Sequence, residues 1–232
     1  MRTFPSLRAL AAVGVVASAV VGADAQTPAP PSPISVAATA PKGAIVLLDK
    51  NATSLTANWL KRHSQEPAGW SFGADASVTP NRTDIVSKQS FGDFFLHVEF
   101  KCPTGHGNAG IGLQGRYEVQ IYNSAGQKPE NTNAGAFYNQ KPASLDASKP
   151  AGEWQTYDIF FRAPRFNAEG KQIEPARATV LQNGILIHVN NDFLGPTGIQ
   201  YEDFKTVGKT GPIVLQGDHD AVQYRNIWVI PL

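Results

Sequence analysis

The residues of this chain best suited to chemistry concentrate between Phe94 and Tyr122, in FFLHVEFKCPTGHGNAGIGLQGRYEVQIY. Its second half alternates. Ile111, Leu113, Tyr117, Val119 and Ile121 interleave with Gln114, Arg116, Glu118, Gln120 and Tyr122. A period of two sends successive side chains to opposite faces of a sheet. The spacing therefore predicts one apolar face and one polar row, with His97 and Glu99 beside that row on a neighbouring strand. Amide, guanidinium, carboxylate, amide and phenol in one line suit a surface that binds polyols. The competing reading is an ordinary solvated sheet face. Glu118 is the only carboxylate of the row and is a candidate general base, with Arg116 a candidate to polarise it or to hold a substrate oxygen. His219, in Gly217-Asp-His-Asp220, is a candidate acid on a loop after a strand. Glu118 and Arg116 also read as a simple cross-strand ion pair, and His219 as a surface residue. Glu99, Gln114, Gln120 and Tyr122 are candidate substrate-binding residues.

The elements that must position these groups are strands. Ala44–Leu48, Trp70–Phe72 with Ser77–Thr79, Thr83–Val86, Phe94–Lys101 and Ile111–Tyr122 read as strands. So do Gly135–Tyr138, Trp154–Arg162, Ala176–Leu181, Ile185–Val189, Pro212–Gln216 and Val222–Ile230. Asn183-Gly184 between two β-rich runs is a strong hairpin signal, because a type I′ turn needs positive φ at both central residues. No amphipathic helix pattern is evident, and 21 Gly with 17 Pro suit a loop-rich β protein. About ten to fourteen short strands imply an all-β sandwich or barrel. The long polar segment from Tyr122 to Glu153 reads as a binding loop.

The chain has 232 residues. Arg2 and Arg8 precede an apolar run from Leu10 to Val21, and Ala23-Asp24-Ala25 supplies a signal-peptidase site, so cleavage is expected after Ala25. Residues 26–41, QTPAPPSPISVAATAP, read as an extended linker, with the domain at 42–232. Without residues 1–25 the 20 basic and 19 acidic side chains lose Arg2, Arg8 and Asp24, leaving 18 of each. A neutral chain without a basic cluster is poorly suited to nucleic acid. The expected mature protein is exported, periplasmic or extracellular, without membrane insertion. The single cysteine, Cys102, has no partner for an intramolecular disulfide.

Seven segments, in this order, carry a resemblance. They are Phe91-Gly-Asp-Phe94 with Val98-Glu99-Phe100; Gly107-Asn-Ala-Gly-Ile111; Arg116-Tyr-Glu-Val-Gln-Ile121; Gly152-Glu-Trp-Gln-Thr-Tyr-Asp-Ile159; Val180-Leu-Gln-Asn-Gly184; Gly211-Pro-Ile-Val-Leu-Gln216 with His219; and Tyr224-Arg-Asn-Ile-Trp-Val229. From about Ala44 to Leu232 the chain resembles the 3-keto-disaccharide hydrolase domain family. The resemblance implies a concanavalin A-like lectin/glucanase jelly roll, a sandwich of two antiparallel sheets with the ligand on the concave face. It also implies cleavage of glycosides whose sugar carries a ketone at C3, in some members by elimination. Asn108 matches the family pattern and is a further candidate sugar ligand.

Glucanases of that fold place two carboxylates at alternate positions on one strand, and a retaining mechanism needs them about 5–5.5 Å apart. Here the second position is Gln120, which is neither nucleophile nor acid. A 3-keto sugar removes the need, because the ketone acidifies the C2 proton and one base suffices. The substrate implied is thus an oxidised, 3-keto glycoside or disaccharide. The alternative is a non-catalytic, lectin-like carbohydrate-binding module. No cofactor is called for; a divalent metal is left open, although no compact His/Asp/Glu ligand motif is present. Trp59 and Trp70 are candidates to stack on sugar rings, with Trp154 and Trp228 assigned to the core.

Overall fold

A computed structural model of the chain describes Met1, residues 33–34, and residues 38–197 and 207–232. The expected leader beyond Met1, and residues 26–32 and 35–37 of the Pro-rich segment, lie outside the described residues. The chain separates into units 1–30 and 31–232, and every described strand belongs to the second. Among the described residues no helix is long and apolar enough to cross a membrane.

The elements run β1 (Ile45–Leu48), α1 (Ala52–Asn58), β2 (Trp59–Lys61), β3 (Ser71–Phe72), β4 (Val78–Thr79), β5 (Ile85–Phe91), β6 (Phe94–Lys101), β7 (Ala109–Leu113) and β8 (Tyr117–Ile121). They continue with β9 (Gln155–Arg162), β10 (Arg165–Phe166), β11 (Gln172–Glu174), β12 (Arg177–Gln182), β13 (Ile185–Asp192), β14 (Gly211–Leu215) and β15 (Gln223–Pro231). One sheet has the order β13-β12-β9-β6-β15-β4-β3, with β1 also on β15; the other has the order β2-β5-β14-β7-β8. Every pairing in the two sheets is antiparallel. The protein is an all-β sandwich.

Alternation builds the core. Leu96, Val98, Phe100, Tyr157, Ile159 and Phe161 from the larger sheet meet Ile111, Leu113, Tyr117, Val119, Ile121 and Ile213 from the smaller, in one buried cluster. Tyr117 lies 5.6 Å from Phe161 ring to ring, and Tyr157 crosses the core to donate its hydroxyl to Gln120 O at 2.7 Å. A buried phenol needs such a partner. Burial pushes the Tyr157 hydroxyl far up its titration scale and Cys102, also buried, up to about 12.

Three expectations change. Ile111–Tyr122 is not one strand but a hairpin, β7 and β8, turned at Gln114 (φ 54°) and Gly115 (φ 65°). A helix exists: Asn51 caps α1, accepting from Thr53 N at 3.1 Å, and Leu55 anchors it in the core. Gly135–Tyr138 makes only isolated bridges, Phe137 with Val119 and with Lys141. The Asn183-Gly184 hairpin forms between β12 and β13, with φ of 52° and 78°.

Candidate functional site

The outward face of the smaller sheet carries the chemistry. Register defines two lines across it. Leu60 pairs with Val86, Val86 with Val214, Val214 with Gly112, and Gly112 with Glu118. One step along, Gln120 pairs with Gly110, and Gly110 O accepts from Gln216 N at 3.0 Å. Glu118 and Gln120 are 1% and 3% exposed, on the face opposite the core residues Val119 and Ile121. A Cβ at Gly110 would overlap Glu118 Oε1, so the glycine makes room for a carboxylate lying across β7.

Gln120 acts on Glu118. Carboxylate and carbonyl oxygens both demand a donor, which orients the Gln120 amide nitrogen toward Glu118 Oε1 at 3.1 Å and Ala109 O at 2.9 Å. Its oxygen then faces the Asn108 amide at 3.1 Å. Asn108 in turn is clasped by the loop after β14. Its N–H donates to Asp220 Oδ2 at 2.9 Å, and Asp220 N–H donates to Asn108 O at 3.3 Å. His219 sits in that loop, 43% exposed at its side chain, with Nδ1 2.7 Å from Asp218 Oδ1. A chain of contacts thus runs from Glu118 through Gln120 and Asn108 to the His219 loop.

Asp84 and Arg62 complete this edge of the face, and the sequence reading missed both. Arg62 Nη1 donates to Asp84 Oδ2 at 2.8 Å, and Gly217 N–H donates to Asp84 Oδ1 at 2.9 Å. Burial pushes the Asp84 carboxyl up, against the hydrogen bonds from Gly217 and Arg62. A lone Asp ahead of a strand gives no sequence signal; only the β5–β14 pairing brings it to Gly217.

Two other expected site residues fall in the β7–β8 turn. Arg116 lies in the β7–β8 turn rather than the strand. Its Nη1 donates to Gln114 O and Thr210 O, each at 3.0 Å, and its carbonyl accepts from Thr197 N at 2.9 Å. A Cβ at Gly211 would come within 2.6 Å of Nη1. Arg116 thereby ties both flanks of the 198–206 connection to the turn. Gln114 is fully buried, its amide donating to Phe91 O at 3.0 Å and Lys209 O at 3.1 Å. Tyr122 follows β8, half-buried, on the Glu118 side by alternation.

Glu99 and His97 belong to β6 and so to the outer face of the other sheet. There His97 Nδ1 lies 2.6 Å from Asp158 Oδ1, and Glu99 accepts from Arg225 Nε at 2.6 Å and Asn226 Nδ2 at 2.7 Å. Burial alone would push His97 down, but Asp158 and Glu99 outweigh it and hold it above its ordinary value. Trp228 stacks on His97 outside the main core, and Trp154 lies half-buried under the Arg225 guanidinium at 3.9 Å. Trp59 and Trp70 are buried, their indole N–H groups donating to Leu47 O at 2.9 Å and Thr83 O at 2.8 Å, so neither presents a ring to a sugar. Among the described residues no three His, Cys, Asp or Glu side chains group as metal ligands.

Fold and family together define a carbohydrate-active class of protein. The chain belongs to the 3-keto-alpha-glucoside-1,2-lyase-like domain family, whose profile matches residues 43–230. It is similar to a candidate glycosyl hydrolase of Parabacteroides distasonis, at 35% identity over 89% of this chain and 93% of that one, with a TM-score of 0.73. A second such protein of that organism, at 20% identity over 75% of this chain and 99% of the other, shares the fold with a TM-score of 0.54. No curated protein matches the chain.

Proposed function

We propose that this protein is an exported enzyme cleaving 3-keto-glycosides and 3-keto-disaccharides. The observation that carries the reading is Glu118: the one carboxylate of its strand, buried on the outward face, with an amide at the next outward position. One base suffices where a ketone at C3 has acidified the C2 proton. Glu118 takes that proton, and the C–H electron pair forms a C2–C3 enolate with its charge on O3. Collapse of the enolate restores the ketone, forms the C1–C2 double bond and breaks the C1–O bond. The leaving oxygen takes a proton from His219, and Asp218 fixes the imidazole that gives it. Asn108, half-buried beside Gln120, offers its amide to the developing oxyanion. Water adding back across the double bond would make the outcome a hydrolysis.

Incubation with a 3-keto disaccharide and its unoxidised parent tests this. Only the oxidised sugar should be cleaved, deuterium at C2 should slow a step limited by proton removal, and Glu118→Gln should lower turnover by about 10²–10⁴-fold. Cleavage of the unoxidised parent, or a fully active Glu118→Gln, would reject the assignment. Binding without turnover would select the lectin-like module. Export rests on the leader pattern, and sequencing of the secreted protein should begin at Gln26.

A further inference from the structure

On the open side of β8 the chain returns as a short antiparallel ladder. Gln120 N–H donates to Ala136 O at 2.9 Å, Tyr138 N–H donates to Glu118 O at 3.2 Å, and Val119 bridges Phe137 between them. This register sets Tyr138 directly opposite Glu118. Opposite residues of an antiparallel pair turn to the same face, with Cβ atoms about 4.5–5.5 Å apart. Phe137 is buried in the core, so alternation turns Tyr138 outward, to the face that carries Glu118. We propose that Tyr138 is a further catalytic residue of the reaction proposed above, on which the inference rests: its phenol O–H hydrogen-bonds O3 of the 3-keto sugar and stabilises the enolate.

Position is the first argument. Glu118 removes the C2 proton, and the charge arrives on the oxygen of the neighbouring carbon. The donor to that oxygen must therefore stand beside the base. Tyr138 is one strand spacing from Glu118, about 4.8 Å. Tyr122, the other phenol assigned to this face, stands two outward positions away, about 14 Å along an extended chain. Asn108 reaches the site from the β7 side and Tyr138 from the opposite side of β8, so the two donors flank O3.

The second argument is rigidity. Phe137 stacks on Phe193 at 3.9 Å and on His188 at 4.0 Å, ring to ring. Phe137 N–H donates to Lys141 O at 2.9 Å and Lys141 N–H to Phe137 O at 3.0 Å, closing a turn over Tyr138, Asn139 and Gln140. Asn139 takes the left-handed conformation of that turn, with φ of 56°. Gln140 then ties it down, accepting from Leu194 N–H at 2.8 Å and donating to Gly195 O at 2.9 Å. A donor fixed in advance needs no reorganisation when the charge develops.

The third is availability. Tyr138 is half-buried, and among the described residues its hydroxyl makes no hydrogen bond. The step takes no proton from it. Glu118 holds the C2 proton, the phenol donates a hydrogen bond to O3, and it keeps its own proton when the enolate collapses.

Tyr138→Phe deletes the hydroxyl and leaves the ring and the ladder, so Tm should hold. For a 3-keto disaccharide kcat should fall about 10²–10³-fold, the loss expected for one oxyanion donor, with KM nearly unchanged. An unchanged kcat in a protein that cleaves the sugar would keep the reaction and overturn the role of Tyr138. A readout free of turnover accompanies it. Methyl 3-keto-glucoside, isotopically labelled at its carbonyl carbon, is bound to Glu118→Gln and to Glu118→Gln/Tyr138→Phe. Its carbonyl resonance should move to higher frequency on the first protein and move back on the second. The same resonance on both would overturn the hydrogen bond, whatever the turnover. Loss of the shift in the double variant, with a parent inert toward 3-keto sugars, would keep Tyr138 as the ketone ligand and reject the reaction.

Discussion

Glu118 owes its position to two residues that do no chemistry. Gly110 leaves the space its carboxylate fills, and Gln120 supplies the N–H that fixes one oxygen. Gly110→Ala would force the carboxylate away while leaving the β7–β8 ladder intact. Turnover of a 3-keto substrate should fall about 10²-fold, the scale associated with an ångström of misplacement, with a fall in Tm as the buried carboxylate is pushed off its Gln120 partner. A Gly110→Ala variant of full activity would show that the productive carboxylate lies elsewhere. At this scale the sequence was legible where alternation alone decides orientation. Glu118, Gln120 and Asn108 do lie together. Glu99 does not, because parity says which face of a strand a residue takes and nothing about which sheet the strand joins. Arg116 misled for another reason: its spacing fits the strand, yet the chain has already turned at Gln114, and the guanidinium serves backbone carbonyls.

Elements divide in the same way. The β12–β13 hairpin was readable because Asn183 and Gly184 are the residues that tolerate its turn. The β7–β8 hairpin was not, because Gln114 is a poor turn residue held at φ 54° by tertiary bonds from its amide to Phe91 O and Lys209 O. Helix α1 escaped notice because only Leu55 of its seven residues is buried, too few to set a period. The strand β8 itself gives a sharp test of orientation. Ile121 is fully buried in the core, and Ile121→Ala should cost about 2–5 kcal/mol in chemical denaturation. Gln120→Ala, on the other face, should lose less stability than that and more activity. The reverse order would mean that the face assigned to chemistry is the structural one.

Across the whole molecule the two outer faces divide the work, one carrying the candidate site and the other a buried ionic network. Ile34 N–H donates to Gly184 O at 2.6 Å and the Asn226 amide donates to Ala38 O, so Ile34 and Ala38 rest on the larger sheet. At about 1 kcal/mol per hydrogen bond, a chain beginning at Lys42 should melt about 4–8 °C below one beginning at Gln26. Beside Asn226 lies Glu99. Burial would push its carboxyl up, but the His97 imidazole 3.8 Å away and hydrogen bonds from Asn226 and Arg225 outweigh that and hold it at about 2. A carboxyl depressed in the folded state stabilises it while ionised, so this contribution is present above about pH 4.5. It is lost as pH falls from there toward 2, because the unfolded chain takes up the proton first. Stability measured by denaturation should therefore decline steadily from pH 5 to pH 2.5. Glu99→Gln cannot titrate, and should be less stable at pH 7 yet show a shallower decline. Some slope should survive, since Asp93, bonded to Arg165, and Asp75, bonded to Ser77, are also held low. An acid limb of equal steepness in Glu99→Gln would show that the Glu99 network does not carry the pH dependence.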